Sequence, residues 1–137
     1  WVVFYSPLQM ASDMIENYAD QPAFQFFRDF NPDCDWSKAL YGEIGEFVVM
    51  ARRAGDVSYL GATTNEHSRV LDIPLNFLPK GKVYTATIYA DGPDADYKTN
   101  PSSCRIHVRE NVASKDVLPL RLLRGGGAAV VLKEIGK

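Results

Sequence analysis

Two glutamates, Glu43 and Glu46, have a residue type and spacing that could support hydrolysis. They flank the short turn GEIGE. A pair of carboxyl groups can cleave a glycosidic bond, with one acting as the acid and the other as the base or nucleophile. Solvated acids are also common in glycine turns between strands, and this second interpretation is the one we favour. We therefore assign no catalytic residue.

The loop DGPDADYKTNP holds three more carboxylates, Asp91, Asp94 and Asp96. Clustered loop carboxylates can bind Ca²⁺ through oxygen ligation, but the spacing differs from that of an EF-hand and the bidentate glutamate is missing. Asp-Gly-Pro is also an ordinary turn signal. We predict a structured loop that packs Tyr97, and no metal site.

The cysteines and histidines form no recognisable catalytic or metal-binding pattern. Cys34 and Cys104 are 70 positions apart, without CxxC spacing or clustered histidines, which argues against zinc. One disulfide and two free thiols both remain open. His67 lies in a predicted turn and His107 lies between two arginines. Since neither has a partner serine or cysteine for nucleophilic catalysis, we expect both on the surface.

The aromatic residues raise the alternative of a carbohydrate-binding module, in which exposed rings stack on sugars. Aromatics at alternate strand positions are more often packing residues, and we assign no substrate-binding residue. The run GGGAAVV lacks the Lys-Ser/Thr of a phosphate loop, and a hairpin turn at Gly125–Gly127 is the better interpretation. The aromatic candidates are Trp36, Tyr41, Tyr59, Tyr84, Tyr89 and Tyr97.

Length and charge limit the functional classes. The chain has 137 residues, enough for one domain with a modest core, and its net charge of −2 gives no electrostatic footprint for nucleic acid. No apolar stretch approaches the roughly 18 residues that a membrane span needs. No basic run is longer than Arg52–Arg53, and we expect these two arginines and Arg69 to pair with acidic loops or a neighbouring domain.

The apolar pattern changes along the chain from helical to strand-like. Spacings of three and four residues predict a helix within residues 1–16, and Pro22 favours a second helix over 23–30. Period-two alternation then predicts eight strands, near 36–43, 46–53, 57–64, 69–75, 82–90, 103–109, 116–123 and 128–134. We therefore predict a mainly β fold, an antiparallel β-sandwich of about eight strands preceded by one or two short α-helices.

The alternation also predicts which side chains face the core. Prolines inside the strand patterns, Pro74 and Pro119, predict edge strands or bulges. Tyr84, Ala86 and Ile88 are expected to share one face of their strand. The residues expected to face inward are Ile106, Val108, Leu118, Leu120 and Leu122. We place the domain boundary near residues 31–35, with residues 1–34 ending a preceding domain and residues 35–137 forming the β-sandwich. The chain would then be a C-terminal piece of a larger enzyme.

Several sequence blocks resemble glycoside hydrolase family 97, a family of α-glucosidases and α-galactosidases. The blocks are YSPLQMASDMIENY, LYGEIGEFVVMARR, YLGATTNEHSRVLDIPLNFLPKGKVYTATIYADG, DADYKTNP and LRGGGAAVVL. The resemblance implies a three-part parent enzyme with an N-terminal β-supersandwich, a catalytic barrel and a C-terminal β-sandwich linked with oligomerisation. It also implies Ca²⁺ in the parent, a carbohydrate substrate and a periplasmic or secreted location.

The family's catalytic glutamates and calcium ligands match no position here, so the resemblance implies a non-catalytic accessory domain. It would bind the preceding barrel and, in a homodimer, a second subunit. We expect one apolar cluster between the helices and the sheet, left partly exposed without the barrel. Its members would be Val3, Phe4, Leu8, Met14, Phe24 and Phe27 against Leu40, Val48 and Met50. A carbohydrate-binding module using Tyr59 or Tyr97 is the alternative.

Overall fold

The structure, a computed structural model, describes residues 1–136. All eight predicted strands are present, and the mainly β, antiparallel prediction is confirmed. Two 3₁₀ turns (Ile15–Tyr18 and Pro22–Phe24) and the short helix α1 (Gln25–Asp29) precede the strands. The strands are β1 (Trp36–Glu43), β2 (Phe47–Ala54), β3 (Val57–Thr64), β4 (Arg69–Pro74), β5 (Val83–Asp91), β6 (Cys104–Ala113), β7 (Val117–Leu122) and β8 (Gly127–Glu134).

The strands form two layers. Six of them make the large sheet, in the order β1-β2-β3-β8-β5-β6, and β4 pairs with β7 in a small two-stranded sheet. Every pairing is antiparallel. β8 lies between β3 and β5 and therefore joins the two halves of the large sheet. Among residues 1–136, no helix has the length and apolarity needed to cross a bilayer.

The main core lies between the two sheets, on what we call the front of the large sheet. Its members come from both layers, as in other sandwiches. Pro74 and Pro119 lie in the small sheet, where each strand has one neighbour, so the prediction of edge strands is confirmed. Tyr84, Ala86 and Ile88, which were predicted to share a face, all lie in the front core. It also includes the predicted Leu118, Leu120 and Leu122, with Val49, Leu60, Ile73, Leu75, Val112, Val130 and Leu132.

Two predicted core residues, Ile106 and Val108, are instead exposed by 38% and 57%. They lie on β6, an edge strand of the large sheet, opposite Tyr89 and Thr87 of β5. Cross-strand partners share a face, so these two side chains point to the back of the sheet, away from the front core. The alternation identified residues that share a face, but not which layer covers that face.

The predicted helix within residues 1–16 is wrong. Residues 1–14 form no helix, and the first helical turn is the 3₁₀ turn Ile15–Tyr18. An isolated helix of this length is marginal in water without a surface to pack on, and Pro7 removes a backbone donor. The second helix is shorter than predicted, because residues 22–24 are a 3₁₀ turn and only Gln25–Asp29 is α-helical.

Candidate functional site: two uncovered apolar surfaces

The first residues of the chain lie on the back of the large sheet, where Arg52 holds them. The Arg52 side chain is buried, and its Nε donates a hydrogen bond to the carbonyl oxygen of Val2 over 2.5 Å. Its guanidinium carbon also lies 4.6 Å from the ring centroid of Tyr5, a cation–π contact. Arg52 was expected to pair with acidic loops or a neighbouring domain; it contacts the Val2 carbonyl and the Tyr5 ring, within the segment predicted to end a preceding domain.

Gly61 on β3 permits this close approach. A Cβ built at Gly61 would lie 2.7 Å from Cβ and 2.9 Å from Cγ1 of Val2, and 3.2 Å from Cγ2 of Val3. The two distances to Val2 are shorter than real Cβ contacts, and the one to Val3 is tight. The absence of a side chain at Gly61 is therefore a condition for seating residues 2–3 against the sheet.

An aromatic cluster continues this contact across the back of the sheet. Phe30 packs edge-on against Tyr59 with ring centroids 4.9 Å apart. The Tyr59 hydroxyl donates to the carbonyl oxygen of Asp29 (3.0 Å) and accepts from the backbone N–H of Asn31 (3.1 Å). Burial raises the pKa of Tyr59. Lys133 of β8 adds an ion pair to the Asp29 carboxylate at 2.9 Å.

Beyond Val3 the segment leaves its apolar side chains uncovered. Phe4 is 81% exposed and Ile15 is 78% exposed. An open groove of about 450 Å³ lies beside Phe4, with Ile44, Val48 and Thr63 in its lining. We call this surface the N-terminal face, and define it by Phe4, Leu8, Met10, Met14, Ile15 and Ile44.

The predicted single cluster between the helices and the sheet is therefore corrected. Met50 does pack on the back of the sheet, but Leu40 packs against the front core, on the other side. The buried helix residues are Phe26 and Phe30, whereas Phe24 and Phe27 are half-buried. Only the expected exposure of part of the N-terminal segment is confirmed.

A second uncovered surface is the outer side of the two-stranded sheet, which sequence reasoning missed. Val70 on β4 is 70% exposed and Val117 on β7 is 46% exposed. Within residues 1–136, the side chains of Asp72 and Arg121 have no hydrogen-bond or ion-pair partner. The sequence signal for this surface was the alternation in β7: if its leucines face the core, the residues between them face outward. We call it the small-sheet face: Val70, Asp72, Pro74, Val117, Pro119 and Arg121.

Glu43 and Glu46 lie at the rim of the groove but do not act as a free pair. The Glu46 carboxylate forms an ion pair with Arg69, whose guanidinium also lies 5.0 Å from the ring of Phe47. Glu43 is exposed at the end of β1. Arg53 pairs with Asp35 at 3.9 Å. Two of the three arginines thus pair with acidic groups as predicted.

The three loop aspartates are already occupied by protein donors. Asp91 accepts backbone hydrogen bonds from Leu123 (2.7 Å) and Gly127 (3.1 Å). This ties down the glycine run, which crosses from β7 in the small sheet to β8 in the large sheet. The predicted hairpin at Gly125–Gly127 is therefore wrong.

Asp94 and Asp96 have similar partners within the same loop. The Ser103 hydroxyl donates to Asp94 over 2.5 Å and holds the pKa of that carboxyl below its usual value. The Lys98 backbone N–H does the same for Asp96 (2.9 Å). Within residues 1–136, no group of three or more acidic, histidine or cysteine side chains could hold a metal ion.

The aromatic candidates do not assemble into a platform. Tyr59, Tyr84 and Tyr89 are buried, and Trp36 stacks on Phe77 with ring centroids 6.3 Å apart. Only Tyr41 and Tyr97 are exposed, at 45% and 43%. Tyr41 lies on β1, whereas Tyr97 lies in the loop after β5, where its ring contacts Lys98 and Arg124 rather than another aromatic candidate.

Cysteines and histidines lie at the surface or near it. Cys34 and Cys104 are both free thiols, half-buried and exposed respectively, so the disulfide left open by the sequence is not formed. His67 is exposed in the turn before β4, as predicted. His107 is exposed on β6, and partial burial together with Arg105 lowers its pKa.

Comparison with known proteins shows the family to which this chain is similar. The family described as glycosyl hydrolase 97 C-terminal, oligomerisation, matches residues 33–133. A retaining α-galactosidase of Bacteroides thetaiotaomicron is 34% identical over 97% of this chain and 20% of its own length. A solved glycoside hydrolase family 97 enzyme from Pseudoalteromonas sp. strain K8, in complex with acarbose, is 44% identical with a TM-score of 0.93. That alignment covers 98% of this chain and 21% of that one.

A β-arabinopyranosidase shares the fold alone, at 22% identity and a TM-score of 0.75 over 95% of this chain and 19% of its own. The chain spans about a fifth of the length of the relatives it matches. With the family description covering most of the sandwich, the chain belongs to the glycosyl hydrolase 97 C-terminal family of oligomerisation domains.

Proposed function

We propose that this chain is the non-catalytic C-terminal domain of a larger α-glycosidase, docked through its N-terminal face onto the domain that precedes it. One observation carries the docking role. Residues 2–3 are fixed on the sheet by Arg52 and Gly61, while the apolar side chains of residues 4–15 face outward. Exposed apolar surface of this extent marks an interaction site. The matched relatives are about five times as long as this chain, which leaves room for a domain that covers this face.

The activity of the parent is part of the proposal. The matched relatives are a retaining α-galactosidase and an enzyme that binds acarbose, which supports hydrolysis of terminal α-galactosides or α-glucosides. Ca²⁺ and the catalytic acids would be held in the preceding domains, and the parent would be periplasmic or secreted. The boundary near residues 34–35 is a prediction of the same kind.

The first test compares this chain alone with the longer polypeptide that continues upstream of Trp1. We expect nitrophenyl α-glucoside and α-galactoside to be hydrolysed by the longer polypeptide only. Turnover by the chain alone, abolished by Glu43→Gln or Glu46→Gln, would overturn the non-catalytic assignment.

A second test addresses the docking surface. We expect the separately produced upstream domains to bind this chain, and Phe4→Ser with Leu8→Ser to weaken that binding by at least about tenfold, because both side chains would be desolvated. Val108→Ser on β6 is the matched control, since it removes a comparably exposed apolar group outside the N-terminal face. Equal binding by all three proteins would contradict docking through this face.

A further inference from the structure

We propose that the small-sheet face binds a second copy of this chain about a two-fold axis. The proposal rests on the oligomerisation role and assigns it to a particular surface. The N-terminal face lies on the back of the large sheet, whereas the small-sheet face is the outer side of the opposite layer. Stacked sheets are about 10 Å apart. A domain docked on the back therefore leaves the small-sheet face uncovered and available to another partner.

The register of β4 and β7 determines which side chains this face presents. Leu71 and Ile73 of β4 point to the front core. The alternate residues Val70, Asp72 and Pro74 therefore point outward. Their cross-strand partners on β7 share that outward direction: Val70 opposes Arg121, Asp72 opposes Pro119 and Pro74 opposes Val117. Four of these six side chains are apolar, and the two others carry opposite charges.

The charges favour a second copy as the occupant. Asp72 and Arg121 are diagonal neighbours on adjacent strands, yet within residues 1–136 they form no ion pair with each other or with any other group. An isologous interface needs a surface that is complementary to itself, so that residue i contacts j and j contacts i. A two-fold axis between these residues brings Asp72 of each copy to Arg121 of the other.

One of the two edge strands of the large sheet, β6, is a poorer self-association surface. Arg105, His107 and Arg109 lie on one side of this edge strand, since they oppose the alternate β5 residues 90, 88 and 86. Two copies of β6 paired about a two-fold axis would place these basic side chains opposite one another. Like charges opposite one another destabilise a strand pair, and charged edges are a common device against such pairing.

The small size of the face predicts weak association. A six-residue strand is about 17 Å long and two strands cover about 10 Å, well below the roughly 800 Å² that each partner contributes to a standard interface. We therefore expect dimers of the isolated chain only at high concentration, and tighter association when further parts of a parent subunit add contacts.

Sedimentation equilibrium over a wide concentration range tests the proposal. We expect Asp72→Arg and Arg121→Asp each to weaken dimerisation at least about tenfold, because two attractive contacts become repulsive in each dimer. An equimolar mixture of the two variants should regain association, since each heterodimer again has opposite charges at both contacts. Regain in the mixture also excludes misfolding as the cause of the loss.

Two further variants locate the contact. Val70→Asp should abolish dimerisation, whereas Val108→Asp, the same change at a similarly exposed residue on β6, should not. Leu8→Ser on the N-terminal face should also leave it unchanged. A wild-type chain that stays monomeric throughout, variants of the small-sheet face that dimerise normally, or loss caused by Leu8→Ser would each overturn this proposal. None of these outcomes affects the tests of catalysis and upstream docking, so the two proposals can fail separately.

Discussion

The two faces of the large sheet are covered in different ways. The front is covered by a second sheet, and its core is largely aliphatic with register set by paired strands. The back is covered by an irregular segment and one short helix, through aromatic rings and two side-chain anchors, Arg52 and Tyr59. The front core is therefore covered within this chain, whereas the back ends in apolar residues that are exposed within residues 1–136.

Removing a side chain from the front core should have the largest effect on stability. Leu60 is fully buried between the sheets, so Leu60→Ala leaves a cavity and should lower the free energy of unfolding by about 3 kcal/mol. Leu8→Ala at the 74% exposed Leu8 should change it by less than about 0.5 kcal/mol. Urea unfolding of both variants measures the contrast, and equal losses would show that the N-terminal segment is as well packed as the front core.

Gly61→Ala should have the next largest effect, through the back of the sheet. The added methyl would overlap Val2, and we expect a loss of about 2 kcal/mol with displacement of residues 1–5. Faster amide exchange in these residues would accompany it. In a chain lacking residues 1–5, the same substitution should be neutral or stabilising, because alanine is favoured over glycine in a strand. A penalty that persisted in the shortened chain would show that the overlap with Val2 is not its cause.

Tyr59→Phe should have a smaller effect, because it keeps the ring contact with Phe30 and removes only the hydroxyl. The backbone groups of Asp29 and Asn31 then lose their partner, at a cost of about 1 kcal/mol. Proteolysis should cleave near residues 29–31 sooner than in the wild-type chain. Unchanged protection there would mean that the ring alone holds α1 on the sheet.

Alkaline pH should lower the free energy of unfolding through the buried tyrosines of both faces. Burial raises the pKa of Tyr59 and Tyr89 on the back and of Tyr84 on the front. A pKa raised in the folded state means that the neutral phenol is favoured there. This contribution is fully present below the unfolded value of about 10 and is lost as pH rises through the folded pKa.

Unfolding free energies measured between about pH 8 and about pH 11 test this expectation. Stability should fall above about pH 10, and Tyr59→Phe should reduce the slope of that fall because one titrating group is removed. An identical slope in the variant would show that Tyr59 ionises without cost in the folded chain.

The same comparison explains what could be predicted from sequence. The front follows a period-two pattern in both of its layers, so the strands and the inward leucines of β7 were predicted correctly. The back depends on single contacts that leave no periodic signal. In the sequence, Arg52 has the features of a surface charge, whereas in the structure it is buried against the carbonyl of Val2.

The N-terminal segment shows most clearly why part of the structure could not be predicted from the sequence. Its apolar residues are spaced as on a helix, but a helical face stabilises a helix only when a packing surface is present. Within residues 1–136 no element covers Leu8, Met10 or Met14. The outward face of β4 and β7 was equally readable as a pattern, but a pattern of exposed residues does not say that two unpaired, opposite charges lie on adjacent strands.

The position of β8 has a consequence for how the protein is made. Until a ribosome has translated residues 127–134, β3 has no partner on one side and β5 pairs only with β6. The large sheet then exists at most as two separate antiparallel units, each with an open edge. Assembly must therefore wait for late synthesis, and a nascent chain stalled before β8 would expose those edges to chaperones or to neighbouring nascent chains.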